Sequence, residues 1–158
     1  MILVGLGSNI AGPWGMPQET VLRALQELNV APLHLEKSSK LIVTKPFGKT
    51  DQPDFVNAVA IISTKLKPEP LLQKLHAIEQ AAGRQRRERW GPRSLDLDIL
   101  VYQNLITDNV DSTLGSLQLP HPGIAERRFV LEPIAEIAPE WRHPETNLSA
   151  HDMLKKLR

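Results

Sequence analysis

Arg93-Ser94-Leu95-Asp96-Leu97-Asp98-Ile99-Leu100 alternates acidic and apolar side chains. A strand sends successive side chains to opposite faces, so Asp96 and Asp98 share one face and Leu95, Leu97 and Ile99 the other. We read Leu95 to Tyr102 as a strand. Working back, Ile2 to Leu6 is a short apolar run turned by Gly7-Ser8-Asn9, the pattern of a buried strand. Pro17 opens a helix whose Val21, Leu22, Leu25 and Leu28 form one stripe. Leu33 to Val43 reads as a strand with mixed faces, Thr44 to Pro53 as a loop, and Phe55 to Ser63 as a β-branched strand. Pro68 to Ala82 predicts a second helix with Leu71, Leu72, Leu75 and Ile78 inward, ended by Gly83. Beyond the acidic strand, Phe129-Val-Leu, Ile134 and Ile137 predict one helix, and Leu148 to Leu157 a terminal one.

The order β-α-β-β-α-β is the ferredoxin-like pattern. The expected fold is therefore α+β, an antiparallel sheet with helices packed on it and a C-terminal helical extension. The length of 158 residues suits one domain over 1–158, with a core that needs no disulfide. There is no cysteine, which excludes disulfides, thiolate zinc sites and thiol catalysis. The net charge is +1, so polyanion binding must come from local clusters. The apolar run at Met1 is too short for a signal peptide, and nothing approaches the ~20 residues of a membrane helix. A cytoplasmic protein, with no membrane partner, is the expectation.

This fold serves metal-binding, RNA-binding and catalytic proteins alike, so function has to be argued from the site. Two residues along a strand span roughly 6.5–7 Å, and carboxylates so placed can converge on one or two divalent cations. Oxygen-only ligation favours Mg²⁺ over zinc. A wet strand face is the alternative. Next to the acids, residues 83–93 hold five Arg and one Glu. Arg suits bidentate phosphate contacts. Acids that hold a metal beside arginines that neutralise phosphate make chemical sense for Mg-nucleotide. A solvated charge run, or an RNA-binding patch with Trp90 as its aromatic, are the other readings. RNA binding gives no reason for two acids on the strand.

Three signals are discounted. Gly48-Lys49-Thr50 lacks the earlier glycine of a phosphate-binding loop, since position 43 is Val. Gly5-Leu6-Gly7 is too short for a dinucleotide fingerprint. The five histidines show no ligand spacing for zinc, and His121 on composition alone reads as structural.

Arg89-Trp90-Gly91-Pro92-Arg93-Ser94-Leu95-Asp96-Leu97-Asp98-Ile99-Leu100 resembles the signature of the 6-hydroxymethyl-7,8-dihydropterin pyrophosphokinase family. Supporting matches span nearly the whole chain: Gly7-Ser8-Asn9, Asp51 to Asn57, Ile78-Glu79 with Gly83-Arg84, Leu119 to Pro122, Arg127 to Pro133, and Glu136 to Pro139. The resemblance implies transfer of the β,γ-diphosphate of ATP to the hydroxymethyl oxygen of the dihydropterin, with AMP leaving, in folate biosynthesis. It implies that Asp96 and Asp98 hold two Mg²⁺ ions, and that Arg84 and Arg93 stabilise the transferring group. For ATP it implies His121 and Arg127 on the phosphates, with Glu79, Arg84, Arg86, Trp90, Arg93, Ile99 and Pro122, and with His76 where many members carry Gln. For the pterin it implies Asn57 on the polar edge and Phe55 and Phe129 about the ring. Thr44, Phe47, Trp90 and Asp96 complete that set. The partners are then these two small molecules and no nucleic acid, and a monomer is expected. Thr44 to Pro53 and Gly83 to Arg93 flank the site, and chemistry that must exclude water favours lids there.

Overall fold

The computed structural model describes residues 1–46, 51–84, 93–107, 110–112 and 115–157. Its centre is β1 (Ile2–Ser8), whose apolar run is buried on both faces. A chain of helices and strands wraps it: α1 (Pro17–Glu27), β2 (Leu33–Ser38), β3 (Ile42–Thr44), β4 (Phe55–Thr64), α2 (Pro68–Ala81) and β5 (Asp96–Tyr102). The sheet runs β2-β4-β1-β5, with β3 also on β4, and every pairing is antiparallel. The protein is thus α+β around a five-stranded antiparallel sheet.

Local chemistry sets the element ends. Pro17 starts α1, and the Glu19 carboxylate accepts from the Met16 N–H at 3.0 Å. Gly83, at φ 86°, ends α2 where a side chain would be strained. The expected single strand Leu33 to Val43 is two. Its break lies at Ser39, whose Oγ accepts from the Val59 N–H at 3.0 Å in place of a strand carbonyl. A second difference is a small hairpin, β6 (Val110–Ser112) with β7 (Gly115–Leu117), in a stretch with no periodicity to announce it.

The two faces of the sheet build two cores. On one face Val4, Leu6, Ala60, Ile62, Leu97 and Ile99 meet Val21 and Leu25 of α1 and Leu71 and Leu75 of α2. On the other, Leu3, Val59, Ile61 and Leu100 meet α3 (Arg128–Ile137) and α4 (Ala150–Lys156). α3 covers that second face only towards the Leu3 end. The end that carries Gly5 and Gly7 stays open as a cavity. Among the described residues no helix is long and apolar enough to cross a membrane.

Between α3 and α4 the chain turns on His143. Its Nδ1 accepts from the Glu145 N–H at 3.1 Å and the Thr146 N–H at 3.4 Å, so the imidazole must be neutral. Burial lowers its pKa against a smaller opposing pull from Glu145. The residue is 9% exposed, with its ring edge-on to Trp141 of the second core at 6.0 Å between centroids. A lowered pKa means the stability is present above the ordinary value of 6.5 and is lost as pH falls through the folded value. Thermal unfolding from neutral to mildly acidic pH should therefore fall more steeply for the native chain than for His143→Gln. Parallel profiles would rule the imidazole out as the cause.

Candidate active site

The site is set by strand register. In antiparallel pairs, directly opposed residues share a face. Gly7 lies between Asn57 of β4 and Asp96 of β5, and Gly5 lies between Val59 and Asp98. The middle of both rows therefore has no side chain, and the gap is the floor of a cavity of about 420 Å³. The space is needed at Gly7. A Cβ there would sit 2.8 Å from Asn57 Oδ1, whereas one on Gly5 would make only ordinary contact with the Leu100 side chain at 3.4 Å.

One wall carries the acids and arginines. Asp96, Asp98, Arg84, Arg93, His121 and Arg127 line it. Glu79 lies beneath them, 2% exposed on α2. Its Oε2 accepts from the Leu97 N–H at 2.7 Å and from Arg84 Nη1 at 2.5 Å. The same Nη1 reaches Asp96 Oδ1 at 2.8 Å. Glu79 thus pins α2 to β5 and aims Arg84 across the acidic face. Arg84 Nε, also buried, has no hydrogen-bond partner among the described residues.

Burial dominates the electrostatics of this wall. Burial pushes the Asp98 carboxyl up to about 8, with Asp96 and Glu79 adding to it and Arg127 and Arg84 opposing. Asp98 keeps an edge on the cavity, so it is half-exposed by surface while protein encloses the rest. The enclosure sets the direction. Beside it, burial lowers His121 to about 4, Arg127 lowers it further, and Asp96 opposes. His121 Nδ1 accepts from the Gly123 N–H at 3.0 Å, so the neutral ring carries its proton on Nε2, as a donor.

The opposite wall is flat and amphipathic. Phe55 and Phe129 line it with Asn57, Thr44 and Lys45. Asn57 Nδ2 donates to Thr44 Oγ1 at 2.6 Å, which orients the amide. The Arg127 guanidinium stands 6.0 Å from the centre of the Phe129 ring. The arrangement suits a flat polar heterocycle on one side and an anionic chain on the other.

Most of the residues singled out in the sequence therefore meet here, Pro122 included. Three do not line the cavity. Glu79 is buried beneath Arg84, because α2 presents it to the Leu97 N–H. Ile99 is 2% exposed in the first core, because it and Leu97 face α1 and α2; only its backbone on the edge strand is left for a ligand. His76, one turn before Glu79, is half-exposed on α2. Phe47, Arg86 and Trp90, with most of the two expected lids, lie outside the described residues. The reading of the sequence missed the glycine floor and Lys45. Glycines at positions i and i+2 of a buried strand were the available signal.

Comparison with known proteins supplies a family for the chain. Residues 3–139 match the family model for 7,8-dihydro-6-hydroxymethylpterin-pyrophosphokinase. A 2-amino-4-hydroxy-6-hydroxymethyldihydropteridine pyrophosphokinase of Pseudomonas aeruginosa is 43% identical, over 91% of this chain and 84% of its own. One of the same name from Haemophilus influenzae is 41% identical, over 92% and 86%. The folic acid synthesis protein fol1 of Pneumocystis carinii is 36% identical over 99% of this chain but only 20% of its own, so there the likeness is one part of a longer protein.

Removing one partner of a buried ion pair costs about 3–5 kcal/mol. Glu79→Leu should lose less than that, about 1–3 kcal/mol by urea unfolding, since the Leu97 N–H loses its acceptor while Arg84 keeps Asp96. A loss below about 1 kcal/mol would show that Glu79 does not pin α2 to β5.

Proposed function

The chain belongs to the 7,8-dihydro-6-hydroxymethylpterin-pyrophosphokinase family, and we propose that the residues around the glycine floor carry out its reaction. The protein transfers a diphosphate group from ATP to the hydroxymethyl group of the dihydropterin, a step of folate biosynthesis. The observation that carries the assignment of roles is one cavity with two different walls. An acidic pair with Arg84, Arg93 and Arg127 faces an amide set among two aromatic rings.

On this reading Asn57 and Thr44 read the polar edge of the pterin, and Phe55 and Phe129 hold its ring. His121 donates Nε2–H to ATP phosphate, a role its low pKa supports because the ring stays a neutral donor. Arg127 and Pro122 flank it. Arg84 and Arg93 meet charge as it builds on the transferring group, the point at which fixed donors help most. Glu79 acts through Arg84. The remaining assignments, His76, Arg86, Trp90, Phe47 and the Ile99 backbone, rest on the family pattern.

Asp96 and Asp98 would hold two Mg²⁺ ions. Among the described residues no cluster of three or more His, Asp or Glu could hold a metal. On this reading phosphate oxygens and water would supply further ligands, as they do for Mg²⁺ beside nucleotides. The raised Asp98 pKa supports this, since a bound cation would offset the burial and the neighbouring acids that raise it. Bound there, magnesium would draw charge from the phosphate oxygens.

We further infer a ferredoxin-like core, supported by the order β2-β4-β1-β5. A single domain over 1–158 is supported by two cores on one sheet. A monomer working in the cytoplasm, where ATP is supplied, completes this reading. The RNA-binding alternative loses ground because Asp96 and Asp98 would repel a phosphate backbone.

Incubation with Mg-ATP and 6-hydroxymethyl-7,8-dihydropterin should yield pterin-dependent AMP; ADP would overturn the reaction. Asp98→Ala should abolish turnover with the fold intact, and near-normal turnover would remove Asp98 from the metal site. Arg93→Ala should lower kcat more than it weakens ATP binding, because its contact is made mainly in the transition state. A pure binding defect would refute that role.

A further inference from the structure

Asn9 lies outside the cavity lining, yet it is 2% exposed and fully engaged. Its Oδ1 accepts from the Arg93 N–H at 2.7 Å, and its own N–H donates to the Arg93 carbonyl at 2.9 Å. Its Nδ2 faces the other way. It donates to Gln52 Oε1 at 2.8 Å and to the Pro53 carbonyl at 3.0 Å. Arg93 belongs to the anionic wall. Gln52 and Pro53 lead into β4, where Phe55 and Asn57 form the aromatic wall.

We infer that Asn9 is a positioning residue that sets the distance between the two substrates' walls, each half of its amide holding one wall. Its backbone follows directly on β1, so both walls are referenced to the strand that carries the glycine floor. The neighbouring residues brace the same region. A Cβ on Gly12 would come 2.9 Å from the Ala82 carbonyl and 3.1 Å from Ser94 Cβ, and one on Gly83 would come 2.5 Å from Pro13 Cδ. The turn after β1 is thus packed against residues 82–83 and Ser94 as well as bonded to Arg93. The inference rests on the pyrophosphokinase reading, and AMP production by the native protein is the control that separates the two.

The two halves of the amide can be tested apart. Asn9→Asp keeps the oxygen that Arg93 needs and turns a second oxygen on Gln52 Oε1 and the Pro53 carbonyl. Its KM for the pterin should rise about tenfold, the scale of one lost buried hydrogen bond, while KM for ATP stays nearly unchanged. Asn9→Ala loses both halves, so kcat should fall as well. Gln52→Ala should raise the pterin KM more modestly, and in the double variant with Asn9→Asp it should add less than it does alone, because the two share one contact. A merely structural Asn9 would lower the melting temperature and the active fraction while leaving both KM values as they were; that result overturns the inference. So would equal rises in both KM values for Asn9→Asp. If the Asn9 variants do not fold, an unchanged pterin KM in Gln52→Ala overturns it on its own.

Discussion

Two glycines in the central strand are the constraint on which the rest of the site depends. β1 is paired on both sides, so whatever stands at positions 5 and 7 faces both β4 and β5. Side chains there would join the second core and close the face. Their absence lets Asn57 lie across the strand and leaves Asp96 and Asp98 looking into space. A central strand ordinarily loses stability with glycine. Here the loss is confined to the end of the face that α3 does not cover, and it is offset by two full cores elsewhere on the sheet.

The electrostatics follow from that geometry. Three carboxylates, Glu79, Asp96 and Asp98, come close together, and at Asp98 burial and the two other acids outweigh the pull of Arg127 and Arg84. The protein divides the problem. Glu79 is satisfied outright by a backbone N–H and Arg84, and so behaves as part of the fold. Asp98 is left with a raised pKa at the cavity edge, where a cation and anionic oxygens can meet it. The same low solvation keeps His121 neutral. One condition, burial, therefore raises the Asp98 carboxyl and lowers the His121 imidazole together, while the neighbouring acids add to the first and oppose the second.

The aromatic wall depends on the ends of elements rather than their middles. Phe55 begins β4 and Phe129 lies in the first turn of α3, close to where each chain segment enters the site. Such positions need to be held from outside their own element. Asn9 does this for the approach to β4, and the 3-10 turn Ile124–Glu126 leads directly into α3. The aromatic wall is in this sense a property of the joints of the fold.

Local periodicity was enough to find both long helices, β1, β4, β5 and the split of Asp96 and Asp98 from Leu95, Leu97 and Ile99, because two- and 3.6-residue repeats are carried by neighbours in the chain. The resemblance then gathered most of the cavity residues from distant motifs. What stayed hidden is non-local. The break at Ser39 depends on Val59, the burial of Glu79 on Leu97, and the clamp of Asn9 on Arg93 and Pro53. Gly5 and Gly7 read as a turn and a failed fingerprint until pairing put an acid on one side of each. Register across the sheet, a long-range property, decided what those residues are for.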